Sequence, residues 1–281
     1  MQASFVEIGG VKTRYLHAGS GYPIVLLHGV GMAADSWIEN IEPLAERFAV
    51  YAPDMLGCGF TELGDPPAGP PQLAMVGHLS ELIEHLGLGK FAVVGSSLGG
   101  LIATLQYFAM PDRVEAFAFA GSAAMFAAEK EALGKILADS FKNGSMAYAD
   151  MSLEILRERL SNIVFDVASI PDYVLHMQLT SYALPWSLQA YQYRMQGMMT
   201  ALAAGEAGWI RDRLGEIEVP ALAIAGDRDP RTSEAWEAAA AAGIPNAKRV
   251  GFDKCGHLPH LEYPSKFNGL IADFVTAKTR A

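Results

Sequence analysis

The chain reads as an α/β protein: a mostly parallel central sheet with helices on both faces and a helical insertion in its middle third. Three observations predict this. Short apolar runs alternate with helix-like stretches up to residue 121 and again from residue 221, the pattern of repeated strand–helix units. Between residues 122 and 210 the strand-like runs stop. Glycine-bearing loops follow several of the strand-like runs, where open α/β sheets hold their sites.

In chain order, residues 11–17 alternate as a half-exposed strand does. Ile24, Val25, Leu26 and Leu27 form a buried strand, followed by a loop at 28–34. Residues 48–52 make the next strand, ending at Pro53 and Asp54, and a Gly/Pro-rich loop runs on to residue 71. Residues 72–86 carry helical periodicity, with Leu79, Leu82, Ile83 and Leu86 on one stripe. Residues 91–94 and 114–119 are strands, with a helix over 101–108 between them. The middle region holds Met125, Met146, Met151, Met177, Met195, Met198 and Met199 among helix-like segments. Alternation resumes with a strand at 221–225, a helix near 233–242, a strand at 249–252 and a closing helix over 265–278. One α/β core, formed by residues 1–121 and 211–281 and interrupted by a helical cap at 122–210, accounts for this order.

Composition narrows the function classes. Apolar residues make up 51% of the 281 and charged residues 19%, which suits a domain with a largely buried sheet. Acidic residues outnumber basic ones, 31 to 21, for a formal charge of −10. No Lys/Arg cluster offers a surface for nucleic acid or an anionic membrane. The first ten residues lack the basic start and apolar centre of a signal peptide. The apolar stretch at 116–128 is too short to span a bilayer. Cys58 and Cys255 make neither a disulfide framework nor a metal site. These features lead us to expect a soluble, cytoplasmic protein with reduced thiols. A small-molecule substrate is the expected partner, and a homo-oligomer stays open. With no dinucleotide fingerprint, P-loop or metal-ligand cluster, the simplest expectation is no cofactor and no metal.

The chemistry concentrates in four loops. Gly95-Ser96-Ser97-Leu98-Gly99-Gly100 follows one strand and precedes a helix, placing Ser97 on a tight turn with a glycine two residues to either side. Such a turn holds a weak hydroxyl nucleophile clear of the backbone, where a base can reach it. His28-Gly29-Val30-Gly31 follows the strand at 24–27 and could aim a backbone N–H at a developing oxyanion. Gly226-Asp227-Arg228-Asp229-Pro230 follows the strand at 221–225, and Gly256-His257 comes shortly after that at 249–252. Serine, acid and histidine thus occur in the order Ser97, Asp229, His257.

These motifs, with the segment Gly256-His257-Leu258-Pro259-His260-Leu261-Glu262, make the chain resemble the α/β-hydrolase family over nearly its full length. The resemblance implies the α/β-hydrolase fold and a capped serine-hydrolase site. It implies Ser97 as nucleophile, His257 as the base that later acts as acid, and Asp229 as the orienting carboxylate. The oxyanion hole would be the backbone N–H groups of Val30 and Leu98. Asp227 competes with Asp229 and reads better as a loop cap. His260 and His28 compete with His257, the first as a structural or pocket-wall residue and the second as an organiser of the oxyanion loop. Ser96, His28, Phe126, Trp186, Trp209, Arg194 and Leu258 are candidates for the walls of the substrate pocket. Arg194, in Tyr191-Gln192-Tyr193-Arg194-Met195, is the cap charge that could grip a substrate carboxylate.

A serine at the elbow argues against dehalogenases and epoxide hydrolases, which place aspartate there. It favours acyl transfer on a small carboxylic ester or lactone. The alternative is a C–C bond hydrolase, since cap, length and C-terminal segment also resemble the meta-cleavage-product hydrolases. Those enzymes usually carry asparagine where this chain has Ser96 and tryptophan where it has Leu258. A small-molecule receptor that retains the triad is the reading from another class.

Overall fold

The computed structural model describes residues 1–66, 68–206 and 209–279. Eight strands form one sheet: β1 (Gln2–Ile8), β2 (Val11–Ala18), β3 (Pro23–Leu27), β4 (Ala49–Pro53), β5 (Phe91–Ser96), β6 (Val114–Ala120), β7 (Ala221–Gly226) and β8 (Ala247–Phe252). Their order across the sheet is β1-β2-β4-β3-β5-β6-β7-β8. β1 and β2 pair antiparallel, as do β2 and β4, and every later pairing is parallel. β1 is absent from the sequence reading, because this mostly exposed edge strand mixes polar and apolar residues and has no unbroken apolar run.

The inner strands are apolar along their whole length because helices cover both sheet faces. Alternate residues therefore enter different cores. Val25, Leu27, Val93, Phe117 and Phe119 pack toward α2 (Pro71–His85) and α3 (Leu98–Ala109). Ile24, Leu26, Val94, Ala118 and Ile224 pack toward α1 (Ile38–Ala45) and the C-terminal helix. α2 opens with Pro71 at its first position, where the missing N–H has no intrahelical partner to lose.

Residues between β6 and β7 leave the sheet in a helical excursion: α4 (Ala123–Ala127), α5 (Lys130–Ala149), α6 (Leu153–Ser161), α7 (Asp172–Tyr182), α8 (Ser187–Ala203) and α9 (Trp209–Arg213). α6 is capped by Ser152, whose hydroxyl accepts from the Ile155 N–H. The chain then completes the sheet with β7, α10 (Glu234–Gly243) and β8, and ends in α11 (Pro259–Glu262) and α12 (Pro264–Thr279). The excursion packs a small core of its own, in which Leu156, Leu160, Ile163 and Tyr182 meet Met32, Leu258 and Leu261 from the loops beyond β3 and β8. No helix of the described residues is long and apolar enough to cross a membrane.

Candidate active site

Register places the four chemical loops side by side. Leu27 of β3 lies opposite Gly95 of β5, Ser96 opposite Ala120 of β6, and Gly226 of β7 opposite Phe252 of β8. Each strand ends at the same edge and releases its loop into the same space.

Ser97 joins β5 to α3 with φ 54° and ψ −117°. This is a left-handed conformation that costs a non-glycine residue about 1–3 kcal/mol. The surroundings hold it there. Its N–H donates to the Ala120 carbonyl at 2.8 Å, and its own carbonyl accepts from Gly100 N–H at 2.9 Å and Ser122 Oγ at 2.8 Å. The flanking glycines answer to crowding: a Cβ on Gly95 would fall 2.1 Å from the Gly99 carbonyl oxygen, and one on Gly99 2.1 Å from that of Leu27.

Three side chains connect in series. His257 Nε2 lies 2.9 Å from Ser97 Oγ, and His257 Nδ1 lies 2.8 and 3.0 Å from the two Asp229 oxygens. The ionised carboxylate accepts only, so Nδ1 carries the proton and Nε2 is left to accept from the serine hydroxyl. The Asp229 carboxylate is fully buried, and its Oδ1 also accepts from the Arg231 N–H at 2.8 Å. Asp227 instead accepts from the Cys255 N–H at 3.1 Å and lies 3.5 Å from Arg228, so it braces the loop.

The other histidines have different surroundings. His28 donates through Nδ1 to the Gly29 carbonyl at 2.9 Å and accepts at Nε2 from the Met55 N–H at 3.1 Å. Burial, the largest influence, lowers its pKa to about 4. With both nitrogens engaged by backbone it orders the loop, which corrects its candidacy as a substrate contact. His260 stacks at 4.1 Å against Trp37, and burial followed by the charges of His257 and His28 lowers its pKa to about 3.

The loop after β3 is braced by a buried ion-pair network invisible in the sequence. Asp54 accepts from the Ala34 N–H at 2.7 Å and the Phe60 N–H at 2.8 Å. Arg14 Nε donates to the same carboxylate at 2.7 Å and reaches Asp35 with its other nitrogens. Val30 and Ser97 line one cavity. Leu98 opens α3, so its N–H has no carbonyl within the helix to meet.

That cavity lies over Ser97. Ser97, His257, Val30, Leu258, Arg159 and Arg231 are among its walls. Ser96, His28, Phe126, Trp186 and Arg194 are not. Ser96 ends β5 fully buried, and Phe126 packs edge-on against Phe119 at 4.9 Å in the core. Trp186 precedes α8 and is half-buried. The side chain of Trp209 lies outside the described residues. Arg194 is buried on α8, its guanidinium 5.7 Å from the Tyr191 ring and 3.3 Å from the Gly57 carbonyl. A larger cavity lined by Val11, Leu63, Leu73 and His78 lies on the α2 side and includes none of the three series residues.

Sequence reasoning missed two arginines. Arg159 descends from α6 and donates to Gln178 Oε1 at 3.1 Å and the Gly31 carbonyl at 3.3 Å. Its signal was present, three residues after Leu156 on the apolar stripe that Leu160 and Ile163 continue. Arg231 lies two residues past Asp229, and an arginine so close to a candidate acid was the available clue.

A model of the alpha/beta hydrolase fold family matches residues 22–264. The chain is 28% identical to a 2-hydroxy-6-oxo-6-(2'-aminophenyl)hexa-2,4-dienoic acid hydrolase of Metapseudomonas resinovorans, covering 98% of this chain and 91% of that protein. It is 27% identical to a 2-hydroxy-6-oxononadienedioate/2-hydroxy-6-oxononatrienedioate hydrolase of Paraburkholderia xenovorans, over 97% of this chain and 95% of that one. Among solved structures, a serine hydrolase involved in carbazole degradation superposes with TM-score 0.77 at 25% identity, covering 98% of this chain and 99% of the other.

Proposed function

The chain belongs to the α/β-hydrolase family, and from that footing we propose that it hydrolyses the bond beside a carbonyl in a small acid, with Ser97, His257 and Asp229 as its triad. The substrate class we favour is the 2-hydroxy-6-oxo-dienoic acids, cleaved between carbons. The observation that carries the reading is the hydrogen-bonded series from Asp229 through His257 to Ser97 beneath an enclosed cavity. The full-length similarity to hydrolases of such acids moves the balance from ester cleavage, the first expectation, to its alternative.

The chemistry follows from the geometry. In its keto form such a substrate carries an electrophilic carbonyl, and the carbon beside it can leave as an extended enolate. His257 Nε2 takes the Ser97 proton as Oγ attacks that carbonyl. The tetrahedral oxyanion turns toward the N–H groups of Val30 and Leu98, each donor worth about 3–4 kcal/mol. Collapse breaks the C–C bond, and the imidazolium returns its proton to the departing carbon. Water activated by the same histidine then frees the acid from Ser97. Asp229 holds the tautomer and offsets the imidazolium charge. The excursion at 122–210 serves as the cap that excludes water.

Leu258 and Ser96, which replace the tryptophan and asparagine usual in such C–C hydrolases, favour ester or lactone cleavage as the second reading. The test compares a 2-hydroxy-6-oxo-dienedioate with p-nitrophenyl butyrate, in wild type beside Ser97→Ala. Repeated turnover of the dienedioate, lost in the variant, is the expected result. Turnover of the ester alone makes the protein an esterase. One equivalent of product with a large ligand-dependent melting shift makes it a receptor.

A further inference from the structure

Arg159 and Arg231 come from different parts of the chain, α6 and the acid loop, yet both line the cavity that holds Ser97 and His257. Among the described residues neither forms an ion pair with a carboxylate. Arg159 is 2% exposed, its hydrogen-bond acceptors are neutral, and its Nε has no partner. Burial, followed by the charge of Arg159, lowers the Arg231 pKa to about 10, so the two guanidiniums work against each other. The charges of Asp229 and Asp139 offset only part of this, and Asp229 is hydrogen-bonded to His257. Two like charges, one buried and one half-buried, are unfavourable side by side unless an anion completes them.

An outer cavity lined by Lys142, Asp139 and Met146 adjoins the inner one, with Asn143 and Arg231 in the walls of both. Arg231 thus borders both spaces, with Lys142 and Asp139 in the outer one and Arg159 in the inner one.

We propose that Arg159 and Arg231 form a carboxylate-binding subsite beside the nucleophile, and that the substrate is a dianion whose second acid group lies between them. The planar forks of two arginines match the four lone pairs of a carboxylate, and charge-assisted bonds gain strength where water is excluded. The proposal deepens the serine-hydrolase reading and rests on it.

The test uses binding, so that it stands apart from turnover. Ser97→Ala protein is titrated by calorimetry with succinate, glutarate and adipate, and with the monomethyl ester of each. At least one diacid should bind about tenfold or more tighter than its half-ester, the range of a charged hydrogen bond. Adding Arg231→Met should bring the diacid down to the half-ester's affinity, and Arg231→Lys should retain part of the advantage. Equal affinities, no binding of any diacid, or a preference that survives Arg231→Met overturns the subsite. Failure of the serine-hydrolase reading would show instead as absent turnover in wild type.

Discussion

Glu262 accepts the Gly256 N–H with both carboxylate oxygens, each at 3.0 Å. The same carboxylate takes the Leu258 N–H at 3.2 Å and the Phe165 N–H at 2.8 Å. One buried acid therefore fixes the residues on both sides of His257 and ties them to the helical excursion.

Glu262→Gln places an amide NH₂ among backbone donors. Leaving one buried donor unpaired costs about 1–3 kcal/mol. We expect urea unfolding to show a loss in that range, with kcat reduced more than KM because the histidine's placement is what suffers. Unchanged stability and kcat would refute the bracing role.

Asp229→Asn should reduce kcat by about 10⁴ through the wrong imidazole tautomer. Asp227→Asn, which touches only the Cys255 N–H and Arg228, should leave kcat within a small factor of wild type. Steady-state rates on one substrate decide it, and equal losses would reverse the assignment.

Stability should fall on acidification. His28 and His260 are held neutral in the fold, with pKa values lowered to about 4 and about 3. An unfolded chain charges both rings below about pH 6.5. Between about pH 6.5 and 4 the unfolded state thus binds more protons, and each ring removes about 1.4 kcal/mol per pH unit. Urea midpoints between pH 7 and 4.5 should drop accordingly, and His260→Leu should flatten the slope by one ring's share.

Arg231→Met should raise the melting temperature. It removes a half-buried cation that lacks an ion pair and feels Arg159, and puts an apolar chain in its place, so the like-charge repulsion is relieved. A fall in melting temperature would mean that Arg231 is compensated in the free protein.

Legibility in the sequence tracked burial and local pattern. β5 and β7 stood out because all six residues of each are buried, and the elbow because its turn needs small neighbours at fixed offsets. β1 escaped because a mostly exposed edge strand has no unbroken apolar run, and α1 because Pro43 interrupts its pattern. Ser97, Asp229 and His257 could be read one by one, each at a strand end. Pairings across the chain could not be read: Arg14 with Asp54, Glu262 with Phe165, and Arg159 with Arg231 depend on how the sheet and excursion fold together. Arg194 drew attention as a charge among aromatics, while Arg159 looked like one more arginine on a polar helix.

The His257 N–H donates to the Ile163 carbonyl at 2.7 Å, beside the Glu262 bond to Phe165. The loop that carries His257 is thus stitched to the helical excursion. Lifting the excursion as a rigid body would drag the imidazole away from Ser97, so the hydrogen-bonded series and the covering helices hold or fail together.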